Sequence, residues 1–335
     1  MSLLIVAPSP DCIWNRHDQA FVIPSCCFVS YIDSSCFTGD QLQHELRHWL
    51  SAPDPWINHN IARKTHQPGT TVWFMQGRSF DEWKYTASLL WIHGLRTRLS
   101  FALFSLADIS RYLSGIGKDY LMVICHSCSC FGVLMLLTSS TLIEDVQFIC
   151  QAGSTALTFF YFDHQDVTKQ NARSLLSSLL IQLCEQFDRF SDLLSVLFML
   201  HGRGSRQPNE HALIQCLKEM ISLGLPVYII MDGLDECPDS SGLTSPRAEV
   251  LQVIQELVNY SNVHICVTSR LEVDILRVLA PLTVNSISLH DQPGQLRDVN
   301  DYISSVIHSN LAMRIWPEEE KQFVVNTLTL GHDGM

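Results

Sequence analysis

No run of Lys or Arg occurs anywhere in this sequence, and 22 basic side chains face 34 acidic ones. With a formal net charge of −12 and a pI near 5.5, its overall field repels phosphate backbones and anionic lipid surfaces. Binding to nucleic acid or to an acidic membrane through general charge is therefore excluded, and any phosphate ligand would need a local pocket. The 12 cysteines show no regular framework of spacings, and 335 residues are far too many for a small disulfide scaffold. Cys150, Cys184, Cys216 and Cys266 sit inside apolar runs, where a thiol packs as a small hydrophobe. A reduced, cytoplasmic protein is expected. Met1 to Pro8 lacks a basic stretch, and its apolar run is too short for a secretion signal. No internal repeat recurs along the chain. What is present is ample apolar material, 47% hydrophobic against 17% charged, enough for a substantial core.

Residues 1–40 carry Pro, Ser, Cys and aromatics without clear period and read as a leader. In Gln41 to Ser51, Leu42, Leu46 and Leu50 recur every fourth residue, which predicts an amphipathic helix stopped by Ala52-Pro53-Asp54-Pro55. Trp73, Phe74, Phe80 and Trp83 are interleaved with polar residues, so 41–88 reads as a helical linker and docking segment. From Leu89 the rhythm changes. Apolar runs at 89–93, 156–162, 227–231, 264–267 and 286–289 alternate with helical patterns at 171–187, 210–223, 247–260, 295–308 and 318–328. Continuously apolar strands fit a parallel sheet buried on both faces, and strand–helix alternation predicts a doubly wound α/β fold over 89–335. Residues 95–137 break this rhythm.

The most informative stretch is Val227-Tyr228-Ile229-Ile230-Met231-Asp232-Gly233-Leu234-Asp235-Glu236. An apolar strand here delivers carboxylates at its C-terminal edge, where open α/β sheets bind ligands. A strand-end Asp232 suits Mg²⁺, which prefers hard oxygen donors beside substrate phosphates, and Asp235 and Glu236 could orient water. The bland alternative is an acidic turn after a core strand. One helix further on, Val267-Thr268-Ser269-Arg270 ends a second strand, and Arg270 could fork onto a γ-phosphate; the alternative is a solvated arginine.

These segments resemble the NACHT group of signal-transducing P-loop NTPases, and in particular a fungal family related to the N-terminal region of nephrocystin-type proteins. The resemblance runs over Trp49-Leu50 with Pro53-Asp54, Asn58 to Ala62, Gly69-Thr70, Trp73, Gly77, Phe80, Trp83, Ser88 to Gly94, Tyr161-Phe162-Asp163 and the two strand ends. It implies a nucleotide switch with ATP or GTP and Mg²⁺, slow hydrolysis, self-association or other signalling partners, and a sensor region that relatives carry beyond the point where this sequence stops. It places Mg²⁺ at Asp232, water at Asp235 and Glu236, and the γ-phosphate at Arg270.

Two departures accompany the resemblance. Relatives carry G-x-x-x-x-G-K-S/T directly after the first strand. Counted from Gly94, the required glycine, lysine and hydroxyl positions hold Leu99, Ser100 and Phe101. Gly117-Lys118 is a partial substitute, with Tyr112 in the first glycine position and Asp119 in the hydroxyl position; the alternative for Lys118 is a glycine-rich turn. Similarity resumes at Thr138 to Val146, which resembles the helix that follows the phosphate loop. An unspliced intron or a shifted frame is the expected origin of 95–137. Sequencing transcripts across it should return messages lacking it, and a mature message encoding the whole stretch would reject that origin.

Residues 120–137 invite three other readings. Tyr120 to Leu137 is long and apolar enough to be tested as a membrane span, but His126, Ser127 and Ser129 weaken it and no basic cluster orients it. Cys125-His126-Ser127-Cys128-Ser129-Cys130 lacks the second ligand pair that a zinc site requires. Ser127 after an apolar run loosely matches the nucleophile turn of acyl hydrolases, yet Cys125 and Ser129 occupy its glycine positions. An interaction scaffold with a silent nucleotide site is the main competitor to the switch.

Overall fold

The computed structural model describes residues 39–65, 71–94, 130–239, 245–289, 293–309, 313–314 and 316–330. Lys118, Ser127, the Cys125–Ser129 part of the cysteine cluster and nearly all of the leader lie outside the described residues. The chain divides into two compact units, 1–42 and 43–335, and of the first only the opening residues of one helix are described.

Among the described residues, four helices precede the first strand: α1 (Gly39–Leu50), α2 (Trp56–Thr65), the single turn α3 (Val72–Met75) and α4 (Arg78–Tyr85). Then follow β1 (Leu89–Gly94), α5 (Cys130–Cys150), β2 (Ala156–Tyr161), α6 (Ala172–Cys184), α7 (Asp188–Leu200), α8 (Glu210–Ile221) and β3 (Val227–Asp232). The chain continues with α9 (Pro246–Leu257), β4 (Val263–Arg270), α10 (Val273–Leu279), β5 (Asn285–Ser288), α11 (Pro293–Ser309) and α12 (Glu318–Leu330). Every residue of β2 and β3 is buried, as unbroken apolar runs require. Helix starts are set locally. Asn171 caps α6, Asn209 caps α8, and Ser245 with Pro246 opens α9, each side chain accepting a backbone N–H of the first turn.

The five strands form one parallel sheet in the order β2-β3-β4-β1-β5. The expected doubly wound α/β architecture is therefore present. From β1 the chain runs to the far edge at β2; from β4 it crosses β1 to reach β5. Right-handed crossovers in opposite directions put their helices on opposite faces. Accordingly, Leu142, Ile143 and Val146 of α5 share a core with Leu90, Ile92, Phe159, Tyr161, Tyr228, Ile230 and Cys266. Period-two alternation then places Asp232, two residues beyond Ile230, on the α5 face.

The segment ahead of β1 packs into this core rather than merely linking to it. Phe74, Phe80 and Trp83 are all buried, and the Trp83 indole donates to the carbonyl of Ile265 in β4 at 2.9 Å. Helix α5 starts at Cys130, so the last residues of 95–137 run unbroken into the helix expected from Thr138. Among the described residues no helix is long and apolar enough to cross a membrane.

Candidate functional site

The site lies along the C-terminal edges of β3, β4 and β1, beside the point where the crossovers diverge. Asp232 ends β3 and is only 7% exposed. Two hydroxyls hold it. Thr268 of β4 donates to Oδ1 at 2.7 Å, and Ser139 of α5 donates to the same oxygen. No described residue bonds Oδ2. Burial pushes the carboxyl up to about 6, a rise that the Ser139 and Thr268 hydrogen bonds limit and that Glu236 and Asp235 reinforce. A buried carboxylate with a spare oxygen beside a hydroxyl is a hard donor set that fits Mg²⁺.

Ser139 was not singled out in the sequence, although a signal was there. Ser139, Leu142, Ile143 and Val146 follow the i, i+3, i+4, i+7 stripe, so a hydroxyl stands on the sheet-facing line of α5. Which carboxylate that hydroxyl meets depends on strand order.

Beyond Asp232 the chain must turn sharply, and Gly233 does so at φ 70°, where a side chain is strained. Its N–H donates to Thr268 Oγ1 at 2.9 Å, so Thr268 links both sides of the turn. The turn then delivers Asp235 to Arg270. The Arg270 backbone N–H donates to Asp235 Oδ1 at 2.8 Å, and the guanidinium Nε lies 3.4 Å from Oδ2. Arg247 of α9 braces the same turn, donating to the carbonyls of Asp235 and Cys237 at 2.8 Å each. Asp235 and Arg270 thus meet as an ion pair, with the Arg270 side chain 37% exposed. Gly94 is the register partner of Arg270, and its carbonyl accepts the Leu271 N–H at 2.9 Å, so the end of β1 adjoins the same edge.

Glu236 is engaged by the loop after β2. Its Oε2 accepts the His164 backbone N–H at 3.0 Å and lies 3.1 Å from the His164 ring Nδ1. Asp163, His164 and Glu236 bring ligand atoms within 4.8 Å of one another. Of the six residues singled out, Asp232, Asp235, Glu236, Gly94 and Arg270 gather on one edge of the sheet, and Lys118 lies outside the described residues.

No curated protein matches the chain. Residues 136–270, from within α5 to the end of β4, match a family model described as nephrocystin 3, N-terminal, and this part of the sheet, with the acidic edge it carries, is nephrocystin-like.

Proposed function

We propose that this domain is a nucleotide-dependent signalling switch of the NACHT type, with Asp232 as the Mg²⁺ carboxylate at its centre. The observation that carries the reading is the arrangement at Asp232: a buried strand-end carboxylate, bonded on one oxygen by Ser139 and Thr268, with the other oxygen free of described partners. In this reading Asp232, with the Ser139 hydroxyl beside it, would hold Mg²⁺, which would supply charge neutralisation for the phosphates of ATP or GTP. Glu236 orients water, while Asp235 sets the position of Arg270 for the γ-phosphate. Release of Arg270 from Asp235 is then the step by which a triphosphate is sensed.

The sequence after Gly94 lacks the glycine, lysine and hydroxyl of the phosphate loop, which favours a second reading: an interaction scaffold on the same fold with a silent site. Each missing charge-assisted contact is worth about 1.5–3 kcal/mol, so nucleotide affinity is expected to be weak. Titration with ATP and GTP in the presence of Mg²⁺ separates the two. Micromolar binding that disappears in Asp232→Ala supports the switch. No binding at millimolar nucleotide supports the scaffold.

A further inference from the structure

The chain ahead of the sheet carries a buried left-handed residue at the start of α3. Thr71 has φ 65° and ψ 1° and is fully buried. A β-branched residue enters this region only when its surroundings hold it there. Here the surroundings are two helices. The Thr71 backbone N–H donates to Asp298 Oδ2 of α11 at 2.6 Å, and the Trp73 indole donates to the same oxygen at 2.9 Å. The Thr71 hydroxyl bonds Thr141 Oγ1 of α5 at 3.2 Å. Trp73 also lies directly against Gly294 of α11, where an added Cβ would come within 2.4 Å of the indole, so the approach is possible only at glycine.

We propose that Thr71, Trp73 and Asp298 form a releasable latch through which the position of α5 is passed to the chain preceding β1. One buried carboxylate oxygen holds two donors from a strained turn. Losing that oxygen frees Thr71 to return to an ordinary backbone conformation, so release is a discrete event rather than a gradual loosening. Thr141 stands two residues after Ser139 on α5, the helix that reaches Asp232. A change at Asp232 that tilts this helix moves the hydroxyl that Thr71 holds. The regulatory use of the latch rests on the switch reading above; the latch itself does not.

Hydrogen exchange on the full chain tests it, because the amides of Phe74, Met75, Gln76 and Gly77 all bond within this turn. In Asp298→Ala, exchange over 71–77 should rise tenfold or more while the amides of β3 and β4 keep their protection. Asp298→Asn retains an oxygen acceptor and should restore most of the protection. Acceleration spread equally over the sheet, or none at 71–77, would overturn the latch. Thr141→Val should also speed exchange at 71–77, and an unchanged rate would break the link to α5. If Mg²⁺–ATP binds, it should alter exchange at 71–77 in the wild type and not in Thr141→Val. Binding without that change refutes the coupling, whereas absence of binding sinks only the switch reading, since the Asp298 variants decide the latch without nucleotide.

Discussion

Asp232→Asn should make the nucleotide-free protein more stable at neutral pH. In the folded chain Asp232 takes up its proton near pH 6, against 3.8 for the ordinary side chain, because burial disfavours the charge. Between these two values the folded state holds a proton that the unfolded state has lost. Stability therefore falls as pH rises through that window, and the whole penalty is present above it. At about 1.4 kcal/mol per pKa unit, the penalty is on the order of 2–3 kcal/mol. Asn keeps an oxygen to accept from Ser139 and Thr268 and carries no charge to desolvate. Thermal unfolding at pH 8 should show a midpoint raised by roughly 5 °C or more, with the difference closing by pH 4. On the switch reading, added Mg²⁺–nucleotide should raise the midpoint of the wild type and leave that of Asp232→Asn in place. A variant no more stable than wild type at pH 8 would mean that the carboxylate carries no desolvation penalty, and the proposed metal-ligand role would lose its physical basis.

The second large effect is expected well away from this edge. Trp83→Ala should cost about 3–5 kcal/mol, the range for removing a fully buried aromatic. The indole is completely enclosed, stands edge-on to Tyr228 at 5.4 Å and to His264 at 6.1 Å, and donates to the Ile265 carbonyl. His264 Nδ1 in turn donates to the Trp83 carbonyl at 2.8 Å, so α4 and β4 are bonded in both directions. The midpoint should drop by roughly 10 °C. Trp83→Phe keeps most of the packing and loses one hydrogen bond to Ile265, so it should cost about 0.5–1.5 kcal/mol. A loss below about 1 kcal/mol in Trp83→Ala would show that the segment ahead of β1 is an attachment to the sheet rather than part of its core.

The opposite outcomes of these two substitutions follow from one cause. Trp83 buries an apolar body whose single donor is satisfied, and burial then stabilises. Asp232 buries a charge that two hydroxyls satisfy only in part, and burial then destabilises. The clustering of such a group with an ion pair at the sheet edge is the pattern on which the proposed site rests.

Much of this was written locally. Apolar runs marked the first four strands, a weaker pattern at 286–289 overlapped β5, and the end of β3 announced its carboxylates, because strand burial and strand-end chemistry are read from neighbours in the chain. Side-chain capping by Asn171, Asn209 and Ser245 is equally local. Other features were invisible at that range. The aromatic spacing of Trp73, Phe74, Phe80 and Trp83 suggested docking and gave no depth. Ser139 reaches Asp232 across 93 positions of sequence, and Asp298 reaches Thr71 across 227. Arg270 pairs with Asp235 across 35 positions, a meeting that neither strand end announces by itself. Periodicity determined the fold class and placed the strands, and the motif at the end of β3 named the candidate carboxylates. Tertiary structure decided which of them meet, because strand order and the hand of each crossover select partners across the sheet, and no local pattern carries that choice.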